Sequence, residues 1–245
     1  MNSIKLQKYF SDCEIMSRRA AEEEIKQGRV SVNGVPATLG LRIDPETDVV
    51  VYKGERILPN STEKTYILLN KPRGIVTSLS DEKGRTTVIS LLSNLNTRVY
   101  PVGRLDMDSD GLLLLTNDGD LTCRLTHPRH QIPKIYHVTI KGPVDESTLK
   151  KLSSALIIDG YKIQPVKVSV TKKEPSQTVL EMTLFEGRNR QIRKMCELCD
   201  LKITRLSRVA IGNITLGDLP SGKWRFLTER EVEYLKTESA KSNKN

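Results

Sequence analysis

The chain has 245 residues, of which 37% are hydrophobic and 4% aromatic, and its 39 basic and 30 acidic side chains give a formal net charge of +9. This content supports an aliphatic core in one large domain, or in a small and a medium one. No apolar run approaches the roughly 20 residues of a membrane helix, and the first ten residues lack a signal-peptide core. We therefore expect a cytoplasmic protein without a membrane partner. Four cysteines do not suggest a disulfide scaffold.

The positive charge is unevenly distributed. Residues 1–60 hold nine basic and nine acidic side chains, so the whole excess lies in residues 61–245 (30 minus 21). An excess of this size is typical of proteins that bind a polyanion, most often nucleic acid. In the first segment, a nucleic-acid site requires charges gathered on one face.

Residues 1–60 are predicted to form a small mixed domain. Its predicted elements are a helix over 18–27 capped by Ser17 and stopped by Gly28, a strand over 30–32 with an Asn33-Gly34 turn, and a strand over 48–52. The polar segment from Pro59 to Thr62 is the predicted linker.

Residues 61–237 are predicted to form a larger α+β domain, followed by a disordered tail over 238–245. Its strand-like runs are 66–70, 74–77, 98–102, 112–116, 136–140, 167–171, 178–184 and 203–209. Its helical candidates are 88–95, 120–125, 145–154 and 190–198. Many strands and few helices favour a mixed, mainly antiparallel sheet with flanking helices.

The helix after Ser17 is a candidate RNA contact. Arg18 and Arg19 lie in its first turn, where unpaired backbone N–H groups and the helix dipole favour phosphate, and Arg29 lies at the following strand. The alternative is a solvated helix start whose charge is balanced by the three glutamates 22–24. The residues alone leave both possibilities open.

The segment from Gly103 to Gly119 carries the strongest chemical signal. Asp106 follows one apolar strand and precedes another, which gives a reactive group a rigid support. Asp106, Asp108 and Asp110 match the first half of a calcium loop, but its twelfth position is Asn117 instead of glutamate. A glycosidase-like pair of Asp106 and Asp108 is disfavoured, because alternate residues of an extended loop point in opposite directions.

Other constellations are weak. Cys196 and Cys199 have zinc-like spacing, but a second cysteine pair is missing, and cysteines three apart on a helix usually pack in the core. No phosphate-binding loop or dinucleotide fingerprint occurs. We therefore expect neither a metal nor a nucleotide cofactor.

Two resemblances sharpen these alternatives. The runs from Lys5, Ser17, Ile25 and Asp48 resemble the small RNA-binding domain named after ribosomal protein S-four. This resemblance implies that Ser17, Arg18, Arg19 and Arg29 contact structured RNA. Glu14-Ile15-Met16 stands where relatives have a glycine, which bears on the detail of those contacts.

The segment Gly103-Arg-Leu-Asp106, followed by Ser109 and the run Gly111–Gly119, resembles the active-site motif of rRNA pseudouridine synthases of the RsuA/RluB/RluF type. The resemblance implies that Asp106 is the catalytic residue and that Arg104 lies near the displaced nucleotide. Lys134-Ile-Tyr136 is similar to an element whose tyrosine stacks on the target uracil. From the residues alone, a core strand tyrosine is favoured for Tyr136.

The basic run from Glu186 to Glu197 resembles the element that supplies an arginine partner to the catalytic aspartate. That arginine is expected to be Arg193, with Arg190 as the next candidate, although a basic surface helix has the same pattern. The resemblance also places Leu206 at the base pocket.

The implied reaction is isomerisation of a uridine in ribosomal RNA by a monomer without a cofactor. The neutral RNA module and the closing segment favour the large subunit as the target. Two other hypotheses are a catalytically inactive RNA-binding assembly factor, which the intact aspartate motif disfavours, and an RNA nucleosidase, which the absence of paired carboxylates disfavours.

Overall fold

The computed structural model describes residues 3–58 and 63–241, and the chain divides into two compact units, Met1–Lys64 and Thr65–Asn245. Each unit has a hydrophobic core of its own. The predicted linker falls on residues 59–62, outside the described ranges, so the domain bounds 1–60 and 61–237 stay predictions. Within the described ranges, no helix has the length and apolar character needed to cross a membrane.

The N-terminal unit combines two short helices with two small antiparallel sheets. Its elements are β1 (Ile4–Lys5), α1 (Leu6–Asp12), α2 (Arg18–Lys26), β2 (Val30–Val32), β3 (Val35–Pro36), β4 (Arg42–Ile43), β5 (Val50–Tyr52) and β6 (Glu55–Ile57). The larger sheet has the order β3-β2-β5-β6, and β1 pairs with β4. Leu6 and Phe10, and likewise Ala21 and Ile25, are one helical turn apart, so each helix turns one apolar side into this core.

Helix α2 begins and ends as its sequence predicts. The Ser17 Oγ accepts the backbone N–H of Ala20 at 3.2 Å and so pairs one of the free donors at the helix start. Gly28, with a φ of 70°, follows the helix in the left-handed region. Asn33 and Gly34 both have positive φ and connect β2 to β3, which confirms the tight hairpin turn.

The second unit is built on one mixed sheet with helices packed on it. Its strands are β7 (Tyr66–Lys71), β8 (Tyr100–Pro101), β9 (Asp110–Thr116), β10 (Lys134–Lys141), β11 (Ile157–Ile158), β12 (Tyr161–Lys162), β13 (Lys167–Lys173), β14 (Gln177–Leu184), β15 (Ile203–Ile211), β16 (Ile214–Thr215) and β17 (Trp224–Phe226). Its helices are α3 (Gly119–Thr126), α4 (Glu146–Ser153), α5 (Gln191–Glu197) and α6 (Glu229–Ala240), with 3-10 turns over Val88–Leu92 and Pro128–His130.

The main sheet has the order β13-β14-β10-β15-β9-β7-β17, with β8 and β16 paired at its margins and β11-β12 as a separate hairpin. Among the described strands of this sheet, only β15 and β9 run parallel. The predicted α+β class with a mainly antiparallel mixed sheet is confirmed.

Strand β9 is buried along its whole length because both of its faces are covered. Leu112 and Leu114 belong to one apolar cluster, and Leu113 and Leu115 belong to another. Side chains alternate between the faces of a strand, so an unbroken leucine run is what a doubly covered strand requires. The segment before β9 is therefore fixed to the centre of the sheet.

Some predicted elements differ in the structure. The predicted strand over 74–77 is a single bridge between Val76 and Thr87, and the predicted helix over 88–95 is the short 3-10 turn. Helix α6 was missed, and it extends to Ala240 with Ser239 buried, so the expectation of a disordered tail from 238 is wrong for its first residues. The capping box of Thr228 and Glu231 was the available signal. Residues 242–245 lie outside the described ranges.

Candidate active site

Asp106 lies on a tight turn immediately before β9. The Ser109 N–H donates to the Asp106 carbonyl at 3.1 Å, which closes a turn of four residues, 106–109, called here the aspartate turn. Ser109 is buried, as is the whole of β9, whereas the Asp106 side chain keeps 32% of its surface exposed. A carboxylate is thus presented to solvent from a rigid support.

Lys71 holds the aspartate turn from beneath, and sequence analysis missed it. Its side chain is fully buried, and its Nζ donates to the carbonyls of Asp106 at 3.1 Å, of Ser109 at 2.9 Å and of Pro72 at 3.0 Å. Burial lowers the pKa of Lys71 to about 8, although the charges of the nearby aspartates oppose the shift. A lysine at the end of an apolar strand and before a proline was the signal that could have identified it.

The carboxylate of Asp106 pairs with Arg190, not with Arg193. Arg190 Nη1 lies 3.4 Å from Asp106 Oδ2, and its guanidinium also reaches both carboxylate oxygens of Asp108 at 3.2–3.3 Å. Arg193 Nη2 donates to the Asp108 carbonyl and the Ser109 hydroxyl, each at 3.1 Å, and lies 3.2 Å from Asp108 Oδ1. The predicted ion pair of Arg193 with Asp106 is therefore wrong in this structure.

The two arginines differ because of their places at the start of α5. Arg190 is the residue before the helix and has left-handed backbone angles, with φ of 51°, so its side chain is directed differently from that of Arg193 one turn later. Arg190 is 44% exposed at its side chain, and Arg193 is 18% exposed. Arg193 is the better-fixed group, and it braces the backbone of the aspartate turn.

Asp106 and Asp108 lie on the same side of the loop. The sequence analysis expected them to diverge, but the segment is a turn and not an extended strand, so both carboxylates converge on Arg190. Burial by itself would raise the pKa of Asp108, but the Arg190 hydrogen bond and the charges of both arginines outweigh it and hold the pKa below its usual value. Asp108 is therefore held ionised as an arginine anchor.

The remaining predicted site residues lie around this turn on separate elements. Arg104 is exposed and, among the described residues, has neither an ion pair nor a hydrogen bond. Tyr136 lies on β10 and is partly buried. It packs against two apolar clusters, one that includes residues of α5 and one that includes residues of the segment 88–95. Leu206 lies on β15, is buried, and faces Val138 across the pair, so it belongs to the core next to Tyr136.

Two further residues of the motif have structural roles that sequence analysis did not assign. Asp110 is buried, and its carboxylate pairs with Arg205 at 3.0 Å, which links the first residue of β9 to β15. Gly111 has a φ of 105°, and a Cβ there would lie 2.2 Å from the Arg208 carbonyl oxygen. The two strands can approach at this point only because residue 111 has no side chain.

The N-terminal residues predicted to bind RNA divide into two groups. Arg18 and Arg19 are exposed at the start of α2 and, within the described ranges, have no side-chain partner. Arg29 forms a bidentate contact with Glu24 at 2.6 Å, and Tyr52 also donates to that carboxylate. The Arg29 hydrogen bond holds the pKa of Glu24 at about 2. Arg29 is therefore already paired, unlike the other two.

The cysteines of the zinc-like spacing face the core. Cys196 and Cys199 are buried free thiols in the cluster beneath α5, and burial raises the pKa of Cys196 to about 12. Among the described residues, no group of three or more His, Cys, Asp or Glu side chains is placed to hold a metal ion.

The second unit thus places an aspartate on a braced turn near an exposed arginine and a strand tyrosine, and the N-terminal unit has exposed arginines at a helix start. This set of groups is suited to chemistry on RNA. Comparison with known families agrees, since residues 65–198 match RNA pseudouridylate synthase and residues 15–50 match the S4 domain. The chain therefore belongs to the RNA pseudouridine synthases, which are isomerases.

Relatives match the chain along nearly its whole length. It is 40% identical over 237 residues to an uncharacterized RNA pseudouridine synthase of Aquifex aeolicus, covering 96% of this chain and 94% of the relative. It is 37% identical to ribosomal large subunit pseudouridine synthase B of Bacillus subtilis (95% and 95%) and 39% identical to the dual-specificity RNA pseudouridine synthase RluF of Escherichia coli (94% and 78%). A crystal structure of a pseudouridylate synthase superposes with a TM-score of 0.68 at 30% identity, covering 95% of this chain and 99% of that one.

Proposed function

We propose that this protein converts a uridine of large-subunit ribosomal RNA to pseudouridine, with Asp106 as the catalytic residue and without a cofactor. The observation that carries this proposal is the state of the Asp106 carboxylate. It is partly exposed, it stands on a turn held by Lys71 and Arg193, and its contact with Arg190 is long, at 3.4 Å. A group fixed at its backbone and accessible at its carboxylate is suited to act on a bound nucleotide.

The chemistry requires no external reactant. The bond between uracil N1 and the ribose anomeric carbon breaks, the base rotates, and a bond forms from uracil C5 to the same carbon. The C5 proton is then lost and N1 gains a proton, so the product has the composition of the substrate. Asp106 acts on the ribose side of this exchange, as a nucleophile towards the anomeric carbon or as a base towards a ribose proton.

The target nucleotide must leave its stack to reach Asp106. Tyr136 is suited to receive the unstacked uracil, because aromatic rings bind splayed bases by stacking. Leu206 forms the apolar floor beside it, and Arg104 has a free guanidinium for the displaced nucleotide.

Ribosomal RNA as substrate is supported by the names of the relatives and by the S4 domain, whose free Arg18 and Arg19 suit a phosphate backbone. The enzyme is proposed to act as a monomer in the cytoplasm. The large subunit is favoured because the Bacillus subtilis relative is named for it.

Mapping pseudouridines in ribosomal RNA from cells that lack this protein tests the proposal. One position of large-subunit RNA should lose its pseudouridine and regain it with the wild-type gene. Asp106→Asn should not restore it, while its purified protein keeps its fold and RNA affinity. Asp108→Asn, changed two residues away on the same turn, should restore it at least in part. An unchanged set of pseudouridines in the deletion strain, or full restoration by Asp106→Asn, would contradict the proposal.

A further inference from the structure

Two cations flank Tyr136 on the same face of the sheet. Tyr136 pairs with Arg208 across β10 and β15, and Lys134 precedes Tyr136 by two residues on its own strand. Side chains of paired residues, and of alternate residues in one strand, share a face. The core residues Val138 and Leu206 lie on this face too, beneath α5, so the two cations belong to the side of the sheet that carries the candidate active site.

Arg208 is a buried cation whose hydrogen bonds are incomplete. Only 4% of the Arg208 surface is exposed. Its Nε donates to the Leu112 carbonyl at 2.8 Å, whereas its buried Nη2 has no hydrogen-bond partner among the described residues. A buried guanidinium is stabilised by a carboxylate in most proteins, because desolvating an unpaired charge is costly. Here the neighbouring carboxylates are engaged elsewhere, Asp110 with Arg205 and Asp108 with Arg190 and Arg193.

Lys134 is the second cation of this face. Its Nζ donates to the Ile132 carbonyl at 3.0 Å, and among the described residues it pairs with no carboxylate. Burial, and to a lesser extent the positive charge of Arg208, lowers the pKa of Lys134 to about 8. The two groups thus repel one another in a partly desolvated position, and an anion between or above them would remove that repulsion.

We propose that Lys134 and Arg208 form a phosphate-binding subsite beside Tyr136, which holds a backbone phosphate of the target nucleotide. The inference rests on the proposed function for the identity of its ligand. Lys134 makes the direct contact, since it is only partly buried, and Arg208 supplies a fixed positive field beneath it. Lys134 and Tyr136 are about 7 Å apart along the strand, a span that lets one nucleotide place its base on the tyrosine and its phosphate on the lysine.

The test measures the affinity of the full-length protein for a fluorescent oligouridylate over a series of salt concentrations. Lys134→Gln should weaken binding and lower the slope of log affinity against log salt by about 0.7, the value for one phosphate of a single strand. Lys134→Arg should keep the wild-type slope, because it keeps the charge. Lys141→Gln, at the exposed end of the same strand, is the matched control and should leave slope and affinity unchanged.

An unchanged slope in Lys134→Gln overturns the subsite, as does an equal loss in Lys141→Gln, which would indicate diffuse attraction to basic surface. A loss of slope in Lys134→Arg as large as in Lys134→Gln also overturns it. Thermal unfolding of each variant confirms that the fold is intact. Because the probe reports binding alone, this result is independent of whether the wild-type protein is found to form pseudouridine in ribosomal RNA.

Discussion

Two pairs of arginines at helix starts, one pair in each unit, stand in opposite electrostatic situations. At the start of α2, Arg18 and Arg19 are exposed and have no partner among the described residues, whereas at the start of α5, Arg190 and Arg193 are engaged with the aspartate turn. Both sets lie at a helix start in a basic run, so sequence pattern alone does not separate them. The free arginines are available to phosphate from outside, and the paired ones organise carboxylates. Substitutions in the two regions should therefore affect binding in one case and chemistry in the other.

The largest difference in the free energy of unfolding is expected between alanine substitutions at two glycines. Gly111 in the second unit and Gly28 in the N-terminal unit both have positive φ, but only at Gly111 would a Cβ meet backbone atoms. Gly111→Ala should therefore cost about 4 kcal/mol or more of the free energy of unfolding and yield little folded protein. Gly28→Ala meets no atom within 4 Å and should cost about 1–2 kcal/mol, from the left-handed backbone alone. Denaturant unfolding measures both, and similar costs would show that the close approach of β9 to β15 adjusts freely.

The next largest difference is expected between the single-turnover rates of variants at the two arginines at the start of α5. Arg193→Ala removes the brace on Asp108 and Ser109, and a loosened turn should slow the single-turnover rate by about 100-fold at saturating enzyme. Arg190→Ala removes an exposed ion pair with long contacts, so it should slow the reaction by less than about 10-fold. The reverse order would identify Arg190 as the group that supports the reacting carboxylate.

Lys71 gives the second unit a characteristic response to alkaline pH. Its pKa is about 8 in the folded protein and near 10.5 in the unfolded chain, so the unfolded state binds more protons between these values. The free energy of unfolding should therefore rise as pH increases from about 8 towards 10. Lys134 contributes a change of the same sign, since burial also lowers its pKa to about 8.

Lys71→Met should reduce that rise and also destabilise the unit at every pH, since three carbonyls lose their donor. Denaturant unfolding at pH 8 and pH 9.5 checks this, with Lys141→Met as the control that keeps the wild-type slope of the free energy of unfolding against pH.

In the N-terminal unit, the free energy of unfolding should change at acid pH instead. Glu24 has a pKa of about 2, so its stabilising contact with Arg29 is lost as pH falls from about 4.5 towards 2.

The smallest effect is expected at Arg18. Arg18→Ala should weaken RNA binding modestly and lower the salt dependence by about one phosphate, while leaving the single-turnover rate at saturating enzyme unchanged. Arg29→Ala is the matched control, because its guanidinium is already paired with Glu24 and its loss should alter stability without altering the salt slope. A slower reaction in fully bound Arg18→Ala would show that the N-terminal unit contributes to chemistry.

The sequence predicted those parts of the site whose signal is local. The leucine run of β9, the cap and glycine stop of α2, and the aspartate motif each occupy a continuous stretch, and the family comparison confirms the class of enzyme. The identity of Asp106 as the catalytic residue and of its binding partners stays a prediction.

Contacts between distant residues were not predictable from pattern. Lys71 reaches a residue 35 positions later, and Arg190 reaches one 84 positions earlier, so neither contact leaves a periodicity in the sequence. The choice between Arg190 and Arg193 depends on the left-handed backbone at Arg190, a conformation that the sequence pattern did not predict. The direction of Asp108 depends in the same way on the aspartate turn, whose carbonyls accept hydrogen bonds from the distant Lys71.

The complete burial of β9 has a consequence for how activity is lost on heating. Amide protons in a central strand covered on both faces exchange with solvent only when the whole cooperative unit opens. The aspartate turn leads directly into that strand, and hydrogen bonds from Lys71 and Arg193 hold its backbone, so we expect no separate low-energy opening of the turn. Inactivation should therefore follow the melting curve of the second unit, without an earlier step in which the aspartate turn frays while the sheet persists.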